Sequence, residues 1–298
     1  MENKQPLLSI CIPTYNRAEI LRRTLAKITS DKDFDEDIEI VISDNASTDN
    51  TQQICQEFCV SYENIHYYKN DENINDANYF LVLSKGKGKY VKLSNDTISF
   101  QSGALKDLKN KIRQSSPDKN LFFFQNNEFY SNKEIRFNSI NQFINSANYY
   151  ITWIANFGCW KHILSQIETP QKYSQFKLNQ VDWFLQLTTK TSEGIIEFGD
   201  FYNIESPAQK GGYNIYDVFI NNYLYIIRQN HIKGITLEIQ KYRLLRYFIF
   251  PWKIKMQKHP EQYVFDKENG NNIILKNYWY YPYTYAFTII YFFIKLKL

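Results

Sequence analysis

The chain has 298 residues, and 35 Lys and Arg against 31 Asp and Glu give a formal net charge of +4. This near balance gives no electrostatic reason to expect a nucleic-acid partner. A hydrophobic fraction of 44% excludes a disordered chain. No run of 18 apolar residues occurs, so the sequence predicts no membrane-spanning helix. The N-terminal stretch MENKQPLLSI also lacks the apolar segment of a secretory signal.

The cysteines predict a reduced, cytoplasmic compartment. There are four of them, and no two form a Cys-x-x-Cys pair. Cys55 and Cys59 are one helical turn apart, and the four histidines are scattered along the chain. Neither a disulfide framework nor a structural zinc site is therefore expected.

The first third of the chain alternates strand and helix patterns. Short β-branched or apolar runs occur at residues 7–12, 38–42, 65–68 and 90–93. Helical spacing of apolar residues occurs between them, at residues 20–28, 52–60 and 79–83, and again at 104–112. This alternation predicts an α/β fold with a mostly parallel sheet flanked by helices.

Polar clusters follow three of these strands, at residues 13–17, 43–49 and 94–97. One such cluster is ordinary turn and helix-cap chemistry, because Asn, Asp, Ser and Pro favour turns. Ligands of open α/β sheets bind outside the carboxyl ends of the strands. Three clusters at one edge of the sheet therefore predict a polar ligand there.

The rest of the chain changes character toward its C-terminus. Residues 121–125 and 194–198 are predicted strands, and beyond Gly211 and Gly212 the patterns are helical. Residues 241–258 and 276–298 combine Lys and Arg with many aromatic side chains. Such segments favour contact with a membrane surface, where basic groups meet anionic lipid. The alternative is a tail that packs on the core or a dimer surface.

Three stretches, in this order, resemble the family 2 glycosyltransferases of bacterial surface-polysaccharide synthesis: LSICIPTYNRAEILRRTL, EIVISDNASTDNT and NDENINDANYFLVLSKGKGKYVKLSNDT. The resemblance implies a GT-A-like, Rossmann-related sheet. It implies a nucleotide-sugar-binding half at residues 1–115 and an acceptor-binding half of the same domain at 116–210. Residues 211–298 would form a helical C-terminal extension, rich in aromatic and basic residues.

The resemblance also implies a set of donor nucleotide contacts. Tyr15 would pack on the base, and Asp44, whose ionised carboxylate only accepts hydrogen bonds, would bind an N–H edge of the base. Asp49, in the same loop, has the alternative role of a helix cap. The complete set of implied donor contacts is Pro13, Thr14, Tyr15, Asn16, Asp44, Asn45, Asn95 and Asp96.

One motif departs from the family pattern. Where the family usually shows Asp-x-Asp, with the last Asp on a divalent metal, this sequence has Asn95, Asp96 and Thr97. Hard cations such as Mn²⁺ and Mg²⁺ bind carboxylate and phosphate oxygens. We expect Asp96 and Thr97 to hold the metal; the alternative is that cationic side chains replace it.

The family's general base opens a helix after the middle segment, and the resemblance places Asp182 there, with Trp183 as a possible wall for the acceptor sugar. Asp182 has the alternative role of a helix N-cap. Three further carboxylates are reserve candidates for the base: Glu168, Glu193 and Glu205. Trp153 and Trp160 offer faces for sugar stacking or belong to the core.

The function implied is inverting transfer of a sugar from a nucleotide-diphosphate donor, most simply a UDP-sugar, to a growing surface glycan. The acceptor would be lipopolysaccharide, capsule or a lipid-linked oligosaccharide, which suits a peripheral location on the inner face of the cell membrane. The first alternative is a catalytically inactive module that binds a sugar nucleotide or glycan. The second is transfer of a group other than a sugar.

Overall fold

The computed structural model describes residues 5–205 and 210–281. Its strands and helices alternate through the first 115 residues, as the sequence predicts, except that a short strand at Ile98–Phe100 follows the strand at Tyr90–Leu93 with no helix between them. The strands are β1 (Leu8–Thr14), β2 (Ile38–Asp44), β3 (Ile65–Lys69), β4 (Tyr90–Leu93), β5 (Ile98–Phe100), β6 (Asn120–Gln125), β7 (Lys133–Phe137), β8 (Gly158–Trp160), β9 (Gly194–Gly199), β10 (Tyr202–Ile204), β11 (Lys210–Asn214) and β12 (Tyr263–Asp266). The helices are α1 (Ala18–Thr29), α2 (Thr51–Ser61), α3 (Ala77–Lys85), α4 (Ala104–Gln114), α5 (Ile140–Ala147), α6 (Asn179–Lys190), α7 (Tyr223–Gln229), α8 (Gly234–Arg243), α9 (Phe250–Lys258) and α10 (Gly270–Tyr278).

The central sheet has five strands in the order β3-β2-β1-β4-β8. The first four are parallel, and β8 runs antiparallel to β4. All seven residues of β1 and all seven of β2 are buried. Strands covered on both faces favour uninterrupted apolar runs, and this explains why the sequence shows such runs here. The carboxyl ends of β1, β2 and β4 therefore lie at one edge of the sheet.

A second sheet, in the order β6-β9-β7, extends the core. Phe122 and Phe124 of β6 contact Phe184 of α6 with ring centroids 5.0 and 5.5 Å apart. Phe143 of α5 joins the same cluster, 5.4 Å from Phe122. These aromatic contacts hold α6 against the second sheet and fix where its first turn lies.

One strand pair in the C-terminal region corrects the sequence prediction, which expected only helices beyond residue 211. β11 and β12 pair in parallel, and Lys210 is opposite Tyr263. The close approach requires Gly211, since a Cβ atom there would lie 2.4 Å from the carbonyl carbon of Val264. The pair brings residues 210 and 263 to the same place in the fold.

The remaining C-terminal region is helical, as predicted. Much of the aromatic and basic segment 241–258 packs inward, because Leu244, Leu245, Ile249 and Phe250 are buried. Residues 282–298 of the second aromatic segment lie outside the described residues. In the described ranges, no helix is both long enough and apolar enough to cross a bilayer.

Candidate active site

A cleft of about 410 Å³ opens at the carboxyl ends of β1 and β4, and we call it the first cleft. Six of the predicted site residues line it: Pro13, Thr14, Tyr15, Asn45, Asn95 and Asp96. The cleft also contains residues that the sequence did not single out for the site, among them Asp76 and Lys177. The three polar clusters at the strand ends thus converge only in part, and a fourth segment, before α3, completes the wall.

Asp96 is held in place from two sides. The Thr14 hydroxyl donates to Asp96 Oδ2 at 3.0 Å, and the Thr24 hydroxyl donates to the Asp96 carbonyl at 2.8 Å. Burial raises the pKa of the Asp96 carboxyl above its usual value, while the nearby Arg17 and the Thr14 hydrogen bond oppose that rise. The Asp96 side chain is therefore held in one orientation, near the positive charge of Arg17.

The neighbouring Asn95 has a buried side-chain oxygen, Oδ1, that accepts no hydrogen bond from the described residues. Such an acceptor suits a cation or a hydrogen-bond donor supplied by a ligand. Asp96 and Asn95 therefore fit a hard cation that takes its other ligands from phosphate or water. Thr97 lines a different cleft, described below. Within residues 5–205 and 210–281, no group of three or more His, Cys, Asp and Glu side chains could hold a metal alone.

Asparagines before α3 tie that segment to the end of β2. Asn45 Nδ2 donates to Asn73 Oδ1 at 2.7 Å, and Asn45 Oδ1 accepts from the Ile74 N–H at 2.9 Å. Asn78 donates to the Ser43 carbonyl at 2.9 Å and accepts from Asn70 at 3.1 Å. The amide side chains here mainly hydrogen-bond to one another and to the backbone, so they define the shape of the first cleft.

Two predicted nucleotide contacts do not line the first cleft. Asp44 is fully buried, and its two oxygens accept from the Ser47 N–H at 2.8 Å and the Tyr67 hydroxyl at 2.6 Å. Asn16 has a φ of 51° and accepts from the Thr48 N–H at 2.8 Å. Both side chains hold loops together, and their contact with a nucleotide stays a prediction.

The Asp49 carboxylate bonds to the starts of two helices, as the capping interpretation expects, although Asn50 occupies the N-cap position of α2. Its carboxylate accepts from the Ala18 N–H at the start of α1 and from the Thr51 N–H at the start of α2, each at 3.0 Å. Unpaired N–H groups at a helix start are ordinarily satisfied in this way. Asp49 thus joins the first two polar clusters.

Asp182 lines neither the first cleft nor the smaller cleft that contains Thr97. It is in the first turn of α6, after three helical residues, so it is not the N-cap. Its side chain is 3% exposed and accepts from Asn230 at 2.8 Å and from Gln186 at 2.6 Å.

Trp183 is 1% exposed and packs on Phe80 with the ring centroids 5.5 Å apart. The suggestion that Trp183 forms a wall for the acceptor is therefore wrong, because its ring belongs to the core.

The reserve candidates for the base, and the tryptophans considered for sugar stacking, differ in whether they line a cleft. Glu168 pairs with Lys190 at 2.8 Å and Glu193 pairs with Lys119, and neither lines a cleft described here. Trp160 is buried and donates to the Lys119 carbonyl at 2.9 Å, so its ring is a core residue. Glu205 and Trp153 both line the second cleft.

The second cleft, of about 230 Å³, shares Arg17, Asn95 and Asp96 with the first cleft. Its far side carries Trp252 and Lys210, whose Nζ is 4.8 Å from the Trp252 ring centroid. Burial, together with the charge of Lys255, lowers the pKa of Lys210. Arg17, Asn95 and Asp96 thus form a wall common to both clefts, which we call the shared wall.

Glu205 is the carboxylate on the far side of the second cleft. It accepts from Arg23 at 3.0 Å and from Lys27 at 2.5 Å. These two cations lower the pKa of Glu205. A carboxylate so paired is a poor proton acceptor, so its charge contributes mainly to the local field.

A family model described as glycosyl transferase family 2 matches residues 9–166, which is more than half of the 298 residues. The chain belongs to glycosyltransferase family 2. The matched residues include the shared wall and the central sheet apart from Leu8. Lys177 of the first cleft, and Glu205, Lys210 and Trp252 of the second, lie outside the matched residues.

Two curated relatives align with part of this family 2 chain. An abequosyltransferase, RfbV, of Salmonella typhimurium is 40% identical over 103 residues, which are 33% of this chain and 31% of that protein. A GalNAc(5)-diNAcBac-PP-undecaprenol beta-1,3-glucosyltransferase of Campylobacter jejuni is 32% identical over 114 residues, 37% of this chain and 35% of that protein. The chain therefore spans about a third of the length of these relatives.

The fold is that of solved GT-A transferases. Residues 1–349 of TarS from S. aureus, solved with UDP-GlcNAc, superpose with a TM-score of 0.56 at 15% identity. The match covers 90% of this family 2 chain and 79% of that one. The predicted fold class is thereby confirmed, with the helical C-terminal region in place.

Sequence reasoning missed Asp76, Lys177 and the aromatic side of the second cleft. A buried carboxylate without a hydrogen-bond partner, such as Asp76, has no local sequence signal. The aromatic side of the second cleft combines distant segments, because Lys210 lies more than 40 residues before Trp252 and Tyr263. In this family 2 chain, the β11–β12 pair joins those segments.

Proposed function

We propose that the chain transfers a sugar from a nucleoside-diphosphate donor to an acceptor hydroxyl, with inversion at the anomeric carbon. The shared wall carries this proposal, because Asp96, Asn95 and Arg17 border both clefts. A donor in the first cleft would present its diphosphate to that wall, and an acceptor in the second cleft would approach from the opposite side.

The donor proposed is a UDP-sugar. Tyr15 lines the first cleft with 45% of its surface exposed, so its ring is available to pack on a base. TarS, which shares the fold, was solved with UDP-GlcNAc. Pro13, Thr14 and Asn45 would form the adjoining wall, and Asn16 and Asp44 would act through the shape of the loops.

A divalent Mn²⁺ or Mg²⁺ is proposed as cofactor. Asp96 and Asn95 would hold it, and Thr97 lines the second cleft beside them; when bound, it would neutralise charge on the departing diphosphate. Arg17 would add a second positive charge at the shared wall, where it already acts on Asp96.

In the reaction, the acceptor oxygen forms a bond to the anomeric carbon while the bond from that carbon to the diphosphate oxygen breaks. The electron pair of the broken bond leaves with the nucleoside diphosphate. The acceptor proton passes to a carboxylate base. Positive charge at the shared wall would stabilise the leaving group more as its charge grows, and this is the requirement for rate acceleration.

Asp182 remains the proposed base. Its location at the start of α6, where the family carries an acid, supports the role, whereas its two amide partners and low exposure weigh against it. The substitution Asp182→Asn distinguishes a catalytic role of this carboxylate from a purely structural one. We expect it to abolish transfer while UDP affinity stays near wild type, and to lower the melting temperature modestly, because its amide NH2 would face one of the two amide donors; retained transfer would remove Asp182 from the mechanism.

The acceptor proposed is a growing surface glycan or lipid-linked oligosaccharide. One partial relative is named for an undecaprenol-linked acceptor, which supports this class. Residues 1–115 would then bind the donor and residues 116–210 the acceptor. The extension from 211 would rest on the inner face of the membrane through its aromatic and basic residues, of which Trp279 and Tyr280 are exposed. Cosedimentation with anionic vesicles measures this contact, and equal recovery of a chain ending at Asn271 would contradict it.

Thermal-shift measurements with UDP, CDP, GDP and dTDP, each with and without Mn²⁺, test the proposed function. A ligand of the native state raises stability by mass action, so a selective shift identifies the base. We expect a UDP shift that grows with Mn²⁺. No shift with any of the four nucleotides in a folded sample would contradict donor binding, and a shift without donor turnover would favour the inactive binding module.

A further inference from the structure

Asp76 has a buried carboxylate oxygen that no described residue satisfies. It is 9% exposed and lines the first cleft. Its Oδ2 is buried and accepts no hydrogen bond from the part of the chain that the structure describes. Although Asp76 occupies the N-cap position of α3, its side chain does not cap the helix.

Leaving such an oxygen unpaired is costly, because a buried acceptor loses its water without gaining a partner. The charge is stabilised in part by Lys177, which lies on the same cleft and lowers the pKa of Asp76 against the effect of burial. No ion pair between the two forms within 4 Å in the described ranges, so Asp76 and Lys177 are neighbours with space for a ligand.

Asp76 and Asp96 lie at separate places in the first cleft. Burial raises the pKa of each, and neither carboxylate contributes to the shift of the other. Tyr79 also lines the cleft, and both acids raise the pKa of its buried hydroxyl. A ligand that contacts both Asp96 and Asp76 therefore extends along the first cleft.

The chemistry at the Asp76 end suits sugar hydroxyls. A carboxylate accepts from a hydroxyl and an ammonium group donates to one, and both bonds are charge-assisted. A sugar that carries its own carboxylate would instead place like charges together near Asp76. If the diphosphate lies at the shared wall, the group attached to it extends along the cleft.

We propose that Asp76 accepts a hydrogen bond from a hydroxyl of the sugar being transferred and thereby selects neutral donor sugars. This inference rests on the proposed function and assigns the specificity of the same cleft. Lys177 lies beside that hydroxyl and donates to a neighbouring one.

Calorimetric titration of wild type and Asp76→Ala with UDP, UDP-glucose, UDP-galactose and UDP-GlcNAc tests the proposal. We expect UDP affinity to change less than about twofold and the tightest neutral UDP-sugar to bind about tenfold more weakly or worse. Because Asp76 makes no bond that the fold requires, the variant should melt at or above the wild-type temperature. Asp71→Ala, an exposed acid in the same segment, is the matched control and should leave every affinity unchanged.

Asp76→Asn separates charge from hydrogen bonding. It keeps an acceptor oxygen, so we expect it to retain neutral UDP-sugars better than Asp76→Ala and to narrow the wild-type preference for UDP-glucose over UDP-glucuronic acid. Equal UDP-sugar affinities in wild type and Asp76→Ala would overturn this inference alone. A loss of UDP affinity equal to that of the UDP-sugars would also overturn it and assign Asp76 to the ribose. Failure of the wild type to bind any nucleoside diphosphate would overturn the proposed function itself.

Discussion

Asp96→Asn is expected to lower sugar transfer by at least about a hundredfold, the effect typical of removing one group that stabilises charge in a transition state. Asp96 is the carboxylate of the shared wall, and Asn95 beside it has no charge. The substitution removes the negative charge that would hold a divalent cation beside the donor diphosphate. Nucleotide binding should therefore lose its dependence on Mn²⁺ at the same time.

The fold should survive this change, because an asparagine oxygen still accepts from the Thr14 hydroxyl that now donates to Asp96. Steady-state transfer and Mn²⁺ titrations of UDP binding are the measurements. Asp107→Asn, at an exposed acid on α4, is the matched control. If Asp96→Asn keeps transfer within about threefold and keeps the Mn²⁺ dependence, the cofactor is not held at the shared wall.

Lys92→Met is expected to stabilise the protein most strongly at and below neutral pH. Lys92 lies on β4, is 1% exposed, and donates to the Ala155 carbonyl. Within the described residues no carboxylate pairs with it, and burial lowers the pKa of its ammonium group from 10.5 to about 7. Each unit of pKa shift corresponds to about 1.4 kcal/mol. Keeping Lys92 charged in the native state therefore lowers the free energy of unfolding by several kcal/mol.

The sign of the pH dependence follows from proton counting. Between about pH 7 and 10.5 the unfolded chain binds more protons at this site than the native chain does. The free energy of unfolding contributed by Lys92 therefore rises with pH through that window, and the penalty is complete below it. Methionine has no proton to bind, so the gain in stability should be about 3 kcal/mol at pH 6 and should shrink toward pH 10.

Urea denaturation at pH 6, 7.5 and 9 measures the difference between variant and wild type. Other lysines with lowered pKa values, such as Lys161 and Lys253, contribute equally to both proteins and cancel in that difference. The Ala155 carbonyl keeps the Tyr202 hydroxyl as a donor at 3.3 Å, so the substitution leaves it paired. Lys106→Met on the exposed face of α4 is the control. A stability gain that does not change with pH would contradict the interpretation that the buried charge of Lys92 destabilises the native state.

The local parts of the fold were predictable from sequence because they follow from periodicity. The runs at residues 38–42 and 90–93 are buried strands, and the polar residues after them lie at one edge of the sheet. The position of Asp96 on the wall of a cleft follows from that rule about strand ends. The prediction for Thr14 is similar, although its hydrogen bond to Asp96 needed coordinates.

What could not be predicted depends on contacts between distant segments. Asp182 follows the family pattern in sequence, yet Asn230 of the C-terminal region donates to its carboxylate. Asp44 and Tyr67 pair through their side chains across adjacent strands, and nothing in either local sequence indicates it. Sequence predicts which residues lie near a site, whereas tertiary partners determine which oxygen atoms are left for a ligand.

The shared wall gives each cleft a way to influence the other. Because Arg17, Asn95 and Asp96 border both clefts, a charged occupant of one cleft would change the electrostatic field that an occupant of the other meets. Any such change in affinity is reciprocal between the two ligands. The charge brought by whichever substrate binds first would then set how tightly the second is held, by the same factor in either order.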